Sequence, residues 1–279
     1  MTADQPDRRS AAFTAASVPE NYSMRLGPVV FEPWAEVLLD AVGVTAGDRV
    51  ADVASGTGVV ARAAARRAGP EGRVVGTDVS EAMLSLAAAL PLPDDSAPVE
   101  YLEARADNLP FPDESFDVVL CQQGLQFFAE RLDAAREMHR VLRPGGTVGA
   151  AVWAATHRLE PFDDYAEALA ATGVEPPFSR AFDNGTFVMS DEAVRALFED
   201  AGFAAVEVSV VQQPIAFPDP GSAAQGILGT PFGPAVAALP ADQSESLHAD
   251  LLRRFRPEAP REPVRRTTAA VVVRATKAP

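Results

Sequence analysis

Short apolar runs alternate with helical stretches over the first 150 residues of the chain. Phe31, Trp34, Val37, Leu38 and Ala41 recur at helical spacing and predict a helix over 31–42. Gly43 and Gly47-Asp48 then turn the chain into an apolar strand, Arg49 to Ala54. Ser55-Gly56-Thr57-Gly58 leads into an Ala- and Arg-rich helix that stops at Gly69-Pro70. A second strand runs from Arg73 to Thr77 and ends at Asp78; Ser80 with Glu81 opens the next helix, and Pro91 closes it. Strands are expected at Val99–Glu103, Phe116–Cys121 and Thr147–Trp153, with a helix over Leu132–Leu142 ended by Pro144-Gly145-Gly146. This alternation implies a parallel sheet covered on both faces, whose ligands bind at the carboxyl ends of the strands near the reversal of strand order.

After Trp153 the regularity breaks. Residues 154–189 contain Pro161, Pro176 and Pro177 around a short helical run, Asp164 to Ala171. A helix over Asp191–Ala201 and a strand over Ala205–Val211 return to the core pattern. Residues 214–263 form a second proline-rich excursion, and the β-branched run Thr267 to Ala275 closes the chain as a strand. The two excursions are expected to sit together as a cap over the strand ends. Residues 1–20 read as a flexible arm, and residues 21–279 as one domain carrying both cap segments.

Composition narrows the function classes. With 279 residues, 47% of them hydrophobic and 23% charged, the chain has an ordinary globular composition. Its net charge of −15 opposes binding to phosphate backbones and anionic membrane surfaces, so nucleic acid is not an expected partner. A single cysteine, Cys121, excludes an internal disulfide framework and any multi-cysteine metal site. The three histidines, His139, His157 and His248, have no metal-ligand spacing, so no metal is expected. No apolar secretory core and no run of about 20 apolar residues occurs, which predicts a cytoplasmic protein without a membrane span.

The candidate chemistry lies at the strand ends. Gly56 and Gly58 let backbone approach a ligand closely and let the helix start tightly against the strand. Asp78, 20 residues after Gly58, stands where an acid can accept hydrogen bonds from both hydroxyls of an adenosine ribose. Gly56-Thr57-Gly58-Val59-Val60-Ala61 also fits the loose dinucleotide fingerprint, so this feature alone does not choose the cofactor. Asp52 inside the turn does discriminate, because its charge repels a pyrophosphate and attracts the ammonium of an amino-acid moiety. The third strand leads to Ala106-Asp107-Asn108-Leu109-Pro110-Phe111, an acid placed to reach the exocyclic amine of an adenine. The fourth is announced by Asp113-Glu114-Ser115-Phe116-Asp117-Val118-Val119, and the following helix ends in Arg140-Val141-Leu142-Arg143-Pro144-Gly145-Gly146.

In this order, over residues 22–153, the motifs closely resemble those of class I S-adenosylmethionine-dependent methyltransferases, in the branch of the quinone-biosynthesis C-methyltransferases and many natural-product enzymes of secondary metabolism. The resemblance implies a Rossmann-like, doubly wound, seven-stranded sheet, mostly parallel with an antiparallel last strand, carrying helical cap insertions. It implies S-adenosyl-L-methionine as cofactor and S-adenosyl-L-homocysteine as product. Asp52 and the backbone of Ala54, Ser55, Gly56, Thr57 and Gly58 would hold the methionine part, and Asp78 the ribose. Val79 and Met83 would flank the adenine, and Ala106, Asp107 and Asn108 would meet its edge. Gln122 and Gln123 would floor the site beside the sulfonium, and Tyr22 and Arg25 would belong to a segment folded over the cofactor. Ala54 departs from the family pattern, which favours glycine at that turn position.

The implied reaction moves a methyl group to a small, apolar or aromatic acceptor, with oxygen or carbon favoured. Phe127, Phe128, Trp153, Phe162, Phe178, Phe182, Phe187 and Phe232 cluster in strand-end loops and cap, as an apolar pocket requires. His157, just after the fifth strand, is the candidate proton acceptor for a hydroxyl nucleophile; as a plain loop histidine it needs no such role. Gln126, like Gln122 and Gln123, reads equally as a polar group closing a strand end. Two alternatives stay open: a nicotinamide-dependent oxidoreductase, or a protein of this fold catalysing a different reaction such as a cyclisation. The assembly expected, if any, is a homodimer.

Overall fold

The computed structural model describes residues 18–174 and 187–279. Seven strands form one sheet in the order β3-β2-β1-β4-β5-β7-β6: β1 Arg49–Val53, β2 Arg73–Asp78, β3 Val99–Glu103, β4 Phe116–Gln122, β5 Leu142–Trp153, β6 Ala204–Phe217 and β7 Val264–Thr276. The pairs β1–β2, β2–β3, β1–β4 and β4–β5 are parallel, while β7 runs antiparallel to both β5 and β6. The expected mostly parallel sheet with an antiparallel last strand is the one observed. Strand order reverses between β1 and β4, and the crevice there is the natural ligand position of such sheets.

The inner strands β1, β2, β4, β5 and β7 are apolar on both faces, and their side chains alternate between two cores. Val50, Val118, Leu120, Ala270 and Val272 face one core, while Ala51, Val119, Cys121, Val271 and Val273 face the other. The first core is covered by α1 (Glu32–Val42) and α2 (Val59–Ala68). Helix α1 approaches so closely that a Cβ on Gly149 of β5 would lie 2.1 Å from Val42 Cγ2, so glycine there fixes the helix–sheet spacing. Helix α3 (Glu81–Ala89) begins with Ser80 as its cap, the hydroxyl accepting from Met83 N at 3.3 Å. The second core is covered by α4 (Arg131–Val141) and α6 (Asp191–Asp200), which follows α5 (Phe162–Ala170) in the first excursion.

Three boundaries differ from those the sequence predicts. The helical course begins at Val18, inside the stretch read as an arm, and Val18 and Pro19 are buried. It continues as a π-helical stretch, Tyr22–Phe31, into α1. Residues 1–17 of the expected arm lie outside the described residues. Strand β6 runs on to Phe217, so the second excursion starts at residue 218 rather than 214. Pro214 is tolerated in this strand because β6 is an edge and pairs only with β7. Strand β5 takes in Pro144-Gly145-Gly146, with a register irregularity against β4 between Phe116 and Val118.

Described residues of the two excursions pack on each other. The second holds α7 (Pro220–Gln225), a 3-10 turn Gly226–Gly229, α8 (Gly233–Ala237) and α9 (Ala241–Arg254). Tyr165 of α5 donates its hydroxyl to the Ala223 carbonyl at 2.6 Å. Asp164 accepts from Arg158 at 2.8 Å and from Arg266 of β7 at 3.4 Å, and Glu167 accepts from Arg158 and Arg254, each at 2.7 Å. This charged network ties both excursions to the sheet. Pro176, Pro177, Phe178 and Phe182 lie outside the described residues.

Candidate active site

The carboxyl ends of β1, β2, β3 and β4 open into a cavity of about 960 Å³, roofed by the π-helical stretch and by Gly229, Thr230 and Pro231 of the second excursion. It borders Tyr22, Asp52, Ala54, Ser55, Gly56, Asp78, Val79, Met83, Ala106, Asp107, Gln122 and Gln123, all of them residues singled out in the sequence. Thr57, Gly58 and Asn108 are near neighbours in sequence that do not line it. Thr57 is buried behind the turn. Gly58 serves packing: a Cβ there would meet Tyr101 Oη at 2.2 Å. Asn108 N is tied back to the Arg105 carbonyl at 3.2 Å.

The turn after β1 is held in left-handed backbone, with φ of 59° at Ala54, 53° at Gly56 and 75° at Gly58. Glycine adopts this conformation freely, whereas at Ala54 it costs about 1–2 kcal/mol. Gln123, after β4, is a second non-glycine residue in this region, with φ 54°, and its N–H donates to the Ala151 carbonyl at 2.8 Å. Strained backbone therefore flanks the switch point on both sides, as at many ligand sites.

Two buried acids stand at the centre. Asp52 is 1% exposed, and its Oδ2 has no hydrogen-bond partner. Burial pushes its carboxyl up to about 8, with the Ala61 backbone pulling the other way, Asp78 adding to the rise and Arg62 opposing it. Asp78 accepts from Gly56 N and from Ser80 N, each at 2.9 Å. Burial raises its carboxyl too, against those backbone donors. The Tyr22 phenol is driven strongly up, by burial first and then by Asp78 and Asp52. Asp107 lies nearer the surface, where Arg105 grips it through Nε at 2.9 Å and Nη2 at 2.7 Å and lowers its carboxyl below the usual range.

These residues fit the implied cofactor. Its ammonium, ribose hydroxyls and adenine amine are all donors, and the cavity offers acids for them, with Asp52 Oδ2 unpaired and buried. A pyrophosphate fits poorly, since the Gly56 N–H that would cradle it is taken by the Asp78 carboxyl.

Beyond Gln122 and Gln123 the cavity turns aromatic. Phe31, Trp153 and Phe162 form a chain with ring centroids 6.5 and 5.4 Å apart, and Phe127 stands edge-on to Phe187 at 5.6 Å. Phe127, Phe128, Trp153, Phe162 and Phe187 of the expected aromatic set border the cavity; Phe232 is buried in the core instead. Among the described lining residues there is no histidine, lysine or cysteine. His157 does not line the cavity. Its Nδ1 lies 2.9 Å from Thr156 Oγ1 and its Nε2 3.4 Å from Gln212 Nε2, at the surface between the first excursion and β6. Arg25 is also outside, binding Asn21 Oδ1 at 2.8 Å and Gln225 of α7, and so pins the π-helical stretch to the cap.

Sequence reading missed Phe31 and Gly229–Pro231 as parts of one site, and left Gln126 open between a ligand contact and a structural role. Phe31 carried only a helix-packing signal. Nothing in the local sequence ties residues 229–231 to residue 22. A Cβ on Gly229 would lie 2.8 Å from the Asn21 carbonyl oxygen, which shows how tightly the two segments meet.

Residues 51–149 match the family model described as a methyltransferase domain. Over 114 residues the chain is 41% identical to the ubiquinone/menaquinone biosynthesis C-methyltransferase of Hahella chejuensis, covering 40% of this chain and 46% of that protein. It is equally identical, at 41% over 114 residues, to the enzyme of the same description from Ectopseudomonas oleovorans, covering 67% of that protein. The match thus spans about half the length of several relatives and two thirds of another. Among solved structures, phosphoethanolamine N-methyltransferase 2 of Haemonchus contortus with S-adenosyl-L-methionine superposes with a TM-score of 0.64 at 18% identity, over 99% of this chain and 61% of that one. The [4+2]-cyclase SpnF gives 0.61 at 20% identity, over 98% of this chain and 97% of that one. At these identities the structural likeness is one of fold. Taken with the sequence relatives and the ordered motifs, the chain belongs to the class I S-adenosylmethionine-dependent methyltransferases.

Proposed function

We propose that the protein methylates a small, uncharged, largely apolar acceptor, with oxygen or carbon as the receiving atom. The observation that carries this reading is the pairing of two environments in one cavity: buried acids with an unpaired Asp52 oxygen at one end, and an aromatic box at the other. Asp52 with the Ala54–Gly58 backbone would hold the amino-acid part of the cofactor, Asp78 its ribose, and Asp107 the adenine edge. The cofactor supplies a methyl group on a sulfonium, a centre that needs no activation by the protein.

What remains for the protein is alignment and exclusion of water. The left-handed turn fixes the backbone beneath the donor, and the π-helical stretch with Tyr22 and Leu26 closes over it. Phe31, Trp153 and Phe162 present flat apolar surface on which an aromatic acceptor can be oriented. With His157 off the lining, no imidazole is assigned to proton removal. The acceptor must then bring its own nucleophilicity, as an electron-rich ring carbon does: the carbon–methyl bond forms as the sulfonium–methyl bond breaks to leave a neutral thioether, and the displaced proton passes to solvent. The C-methyltransferase relatives from Hahella chejuensis and Ectopseudomonas oleovorans favour carbon.

The test is incubation with methyl-labelled S-adenosyl-L-methionine and a panel of neutral phenols, hydroquinones and enols beside carboxylate and amine acceptors, with the label counted in both phases after organic extraction. Label in an extractable product is the expected result. Label confined to acceptors that are ionic and polar would contradict the proposal.

A further inference from the structure

Gln123 and Gln126 sit where the acid end of the cavity meets its aromatic end. Both border it, at 7% and 1% exposure, and neither carboxamide has a hydrogen-bond partner at its nitrogen or its oxygen. Gln122, the last residue of β4, donates Nε2 to the Phe31 carbonyl at 3.0 Å, and its Oε1 is unpaired. A buried amide left unsatisfied is costly, and unpaired groups of this kind are uncommon in folded proteins. Here they gather on one short segment, Gln122 to the 3-10 turn Leu125–Phe127, against the cavity. A carboxamide presents a donor and an acceptor side by side and carries no charge.

The charges around the pair restrict what it can hold. Arg105 is the one cation among the described lining residues, and it is engaged by Asp107. The acids Asp52, Asp78, Glu103 and Asp107 belong to the ends of β1, β2 and β3, and Glu130 precedes α4. A carboxylate acceptor seated between the glutamines and the aromatic rings would be desolvated with no free cationic side chain of the described lining to pair with, and the neutral carboxamides offer an ammonium no opposite charge.

We propose that Gln126, with Gln123, is the acceptor-recognition pair of the site, selecting a flat, uncharged molecule that both gives and takes hydrogen bonds. This rests on the methyl-transfer reading above and adds to it the residues that choose the acceptor and the charge state they choose. A site built to pair such groups also rejects an apolar analogue that lacks them, because the amides then stay unpaired.

The experiment uses the full chain saturated with S-adenosyl-L-homocysteine. Binding of 2-naphthol, 2-naphthamide, naphthalene, 2-naphthoate and 2-naphthylmethylammonium is measured by calorimetry, on wild type, Gln123→Met and Gln126→Met. The neutral hydrogen-bonding probes should bind about tenfold or more tightly than the other three, a difference of about 1.4 kcal/mol. Gln126→Met should erase that preference while its affinity for the homocysteine product stays within about twofold. Each Met variant should also melt no lower than wild type without ligand, since an unpaired buried amide is replaced by an apolar group of similar size. An amide with a structural role would give the opposite, a lower melting temperature. Equal or tighter binding of 2-naphthoate, an unchanged preference in Gln126→Met, or no binding of any neutral probe to the saturated protein would overturn the proposal and leave the cofactor reading intact. Failure of the wild type to bind S-adenosyl-L-homocysteine would overturn both.

Discussion

Ala54 and Gly124 touch across the gap between β1 and β4. A Cβ on Gly124 would lie 2.8 Å from the Ala54 Cβ and 2.8 Å from Cys121 Sγ. Where the family pattern has glycine in the turn, this chain has alanine, held at φ 59°, and the facing loop has no side chain to oppose it. The turn that shapes the floor of the cavity thus depends on one small residue on each side.

Gly124→Ala should therefore destabilise the protein by about 1–3 kcal/mol through overpacking. Ala54→Gly should be stabilising, since relief of left-handed strain exceeds the added freedom of the unfolded chain. In the double variant the cost of Gly124→Ala should shrink without vanishing, because Cys121 Sγ still opposes the new methyl group. Denaturant unfolding of the four proteins measures this coupling; strict additivity would show that the two residues do not interact.

The buried carboxyl of Asp52 should make both stability and ligand binding depend on pH. Its folded value of about 8 lies above the ordinary 3.8, so the folded state holds a proton that the unfolded chain releases between those values. Its contribution to stability is thus fully present below 3.8 and is lost as pH rises to about 8. Asp52→Asn should flatten that decline. A ligand ammonium pairs with the ionised form, so affinity for S-adenosyl-L-homocysteine should rise, by up to about tenfold per pH unit, as pH approaches 8 from below. Titrations in buffers of different ionisation enthalpy should show proton release at neutral pH; release unchanged in Asp52→Asn would assign it elsewhere.

Contact between the cap and the π-helical stretch should govern closure over the cofactor. In Gly229→Ala the new Cβ would meet backbone at 2.8 Å, on the Asn21 oxygen, and at 2.9 Å, on Tyr22 Cα. Backbone cannot yield as a side-chain tip can, so the segment carrying Tyr22 and Leu26 should move. We expect a lower melting temperature together with a severalfold loss of affinity for S-adenosyl-L-homocysteine. Unchanged affinity in a folded variant would remove the π-helical stretch from the binding site.

The sheet and its acid-bearing strand ends were legible in the sequence because each depends on local signals. Gly58 and Ser80 start helices, Pro91 follows one, and Asp52 and Asp78 fall at fixed places on strands whose apolar runs are unmistakable. What could not be read depends on contacts distant in sequence. The π-helical stretch over 22–31 is held by cap residues some 200 positions away, as Arg25 with Gln225 shows. His157 follows the right strand, yet its loop turns it toward Gln212 of β6 and away from the cavity. Pro214 marked a loop to sequence rules, and only its position on an edge strand lets β6 pass through it.

The central claim is that the acids at the switch point bind S-adenosyl-L-methionine. Calorimetric titration with S-adenosyl-L-homocysteine tests it most directly, with NADH in parallel, on wild type, Asp78→Ala and Asp78→Asn. We expect micromolar binding of the homocysteine product to wild type, at least about a hundredfold loss in both variants with circular dichroism unchanged, and no binding of NADH. Binding of NADH in place of the product, or wild-type affinity in a folded Asp78 variant, would contradict the account.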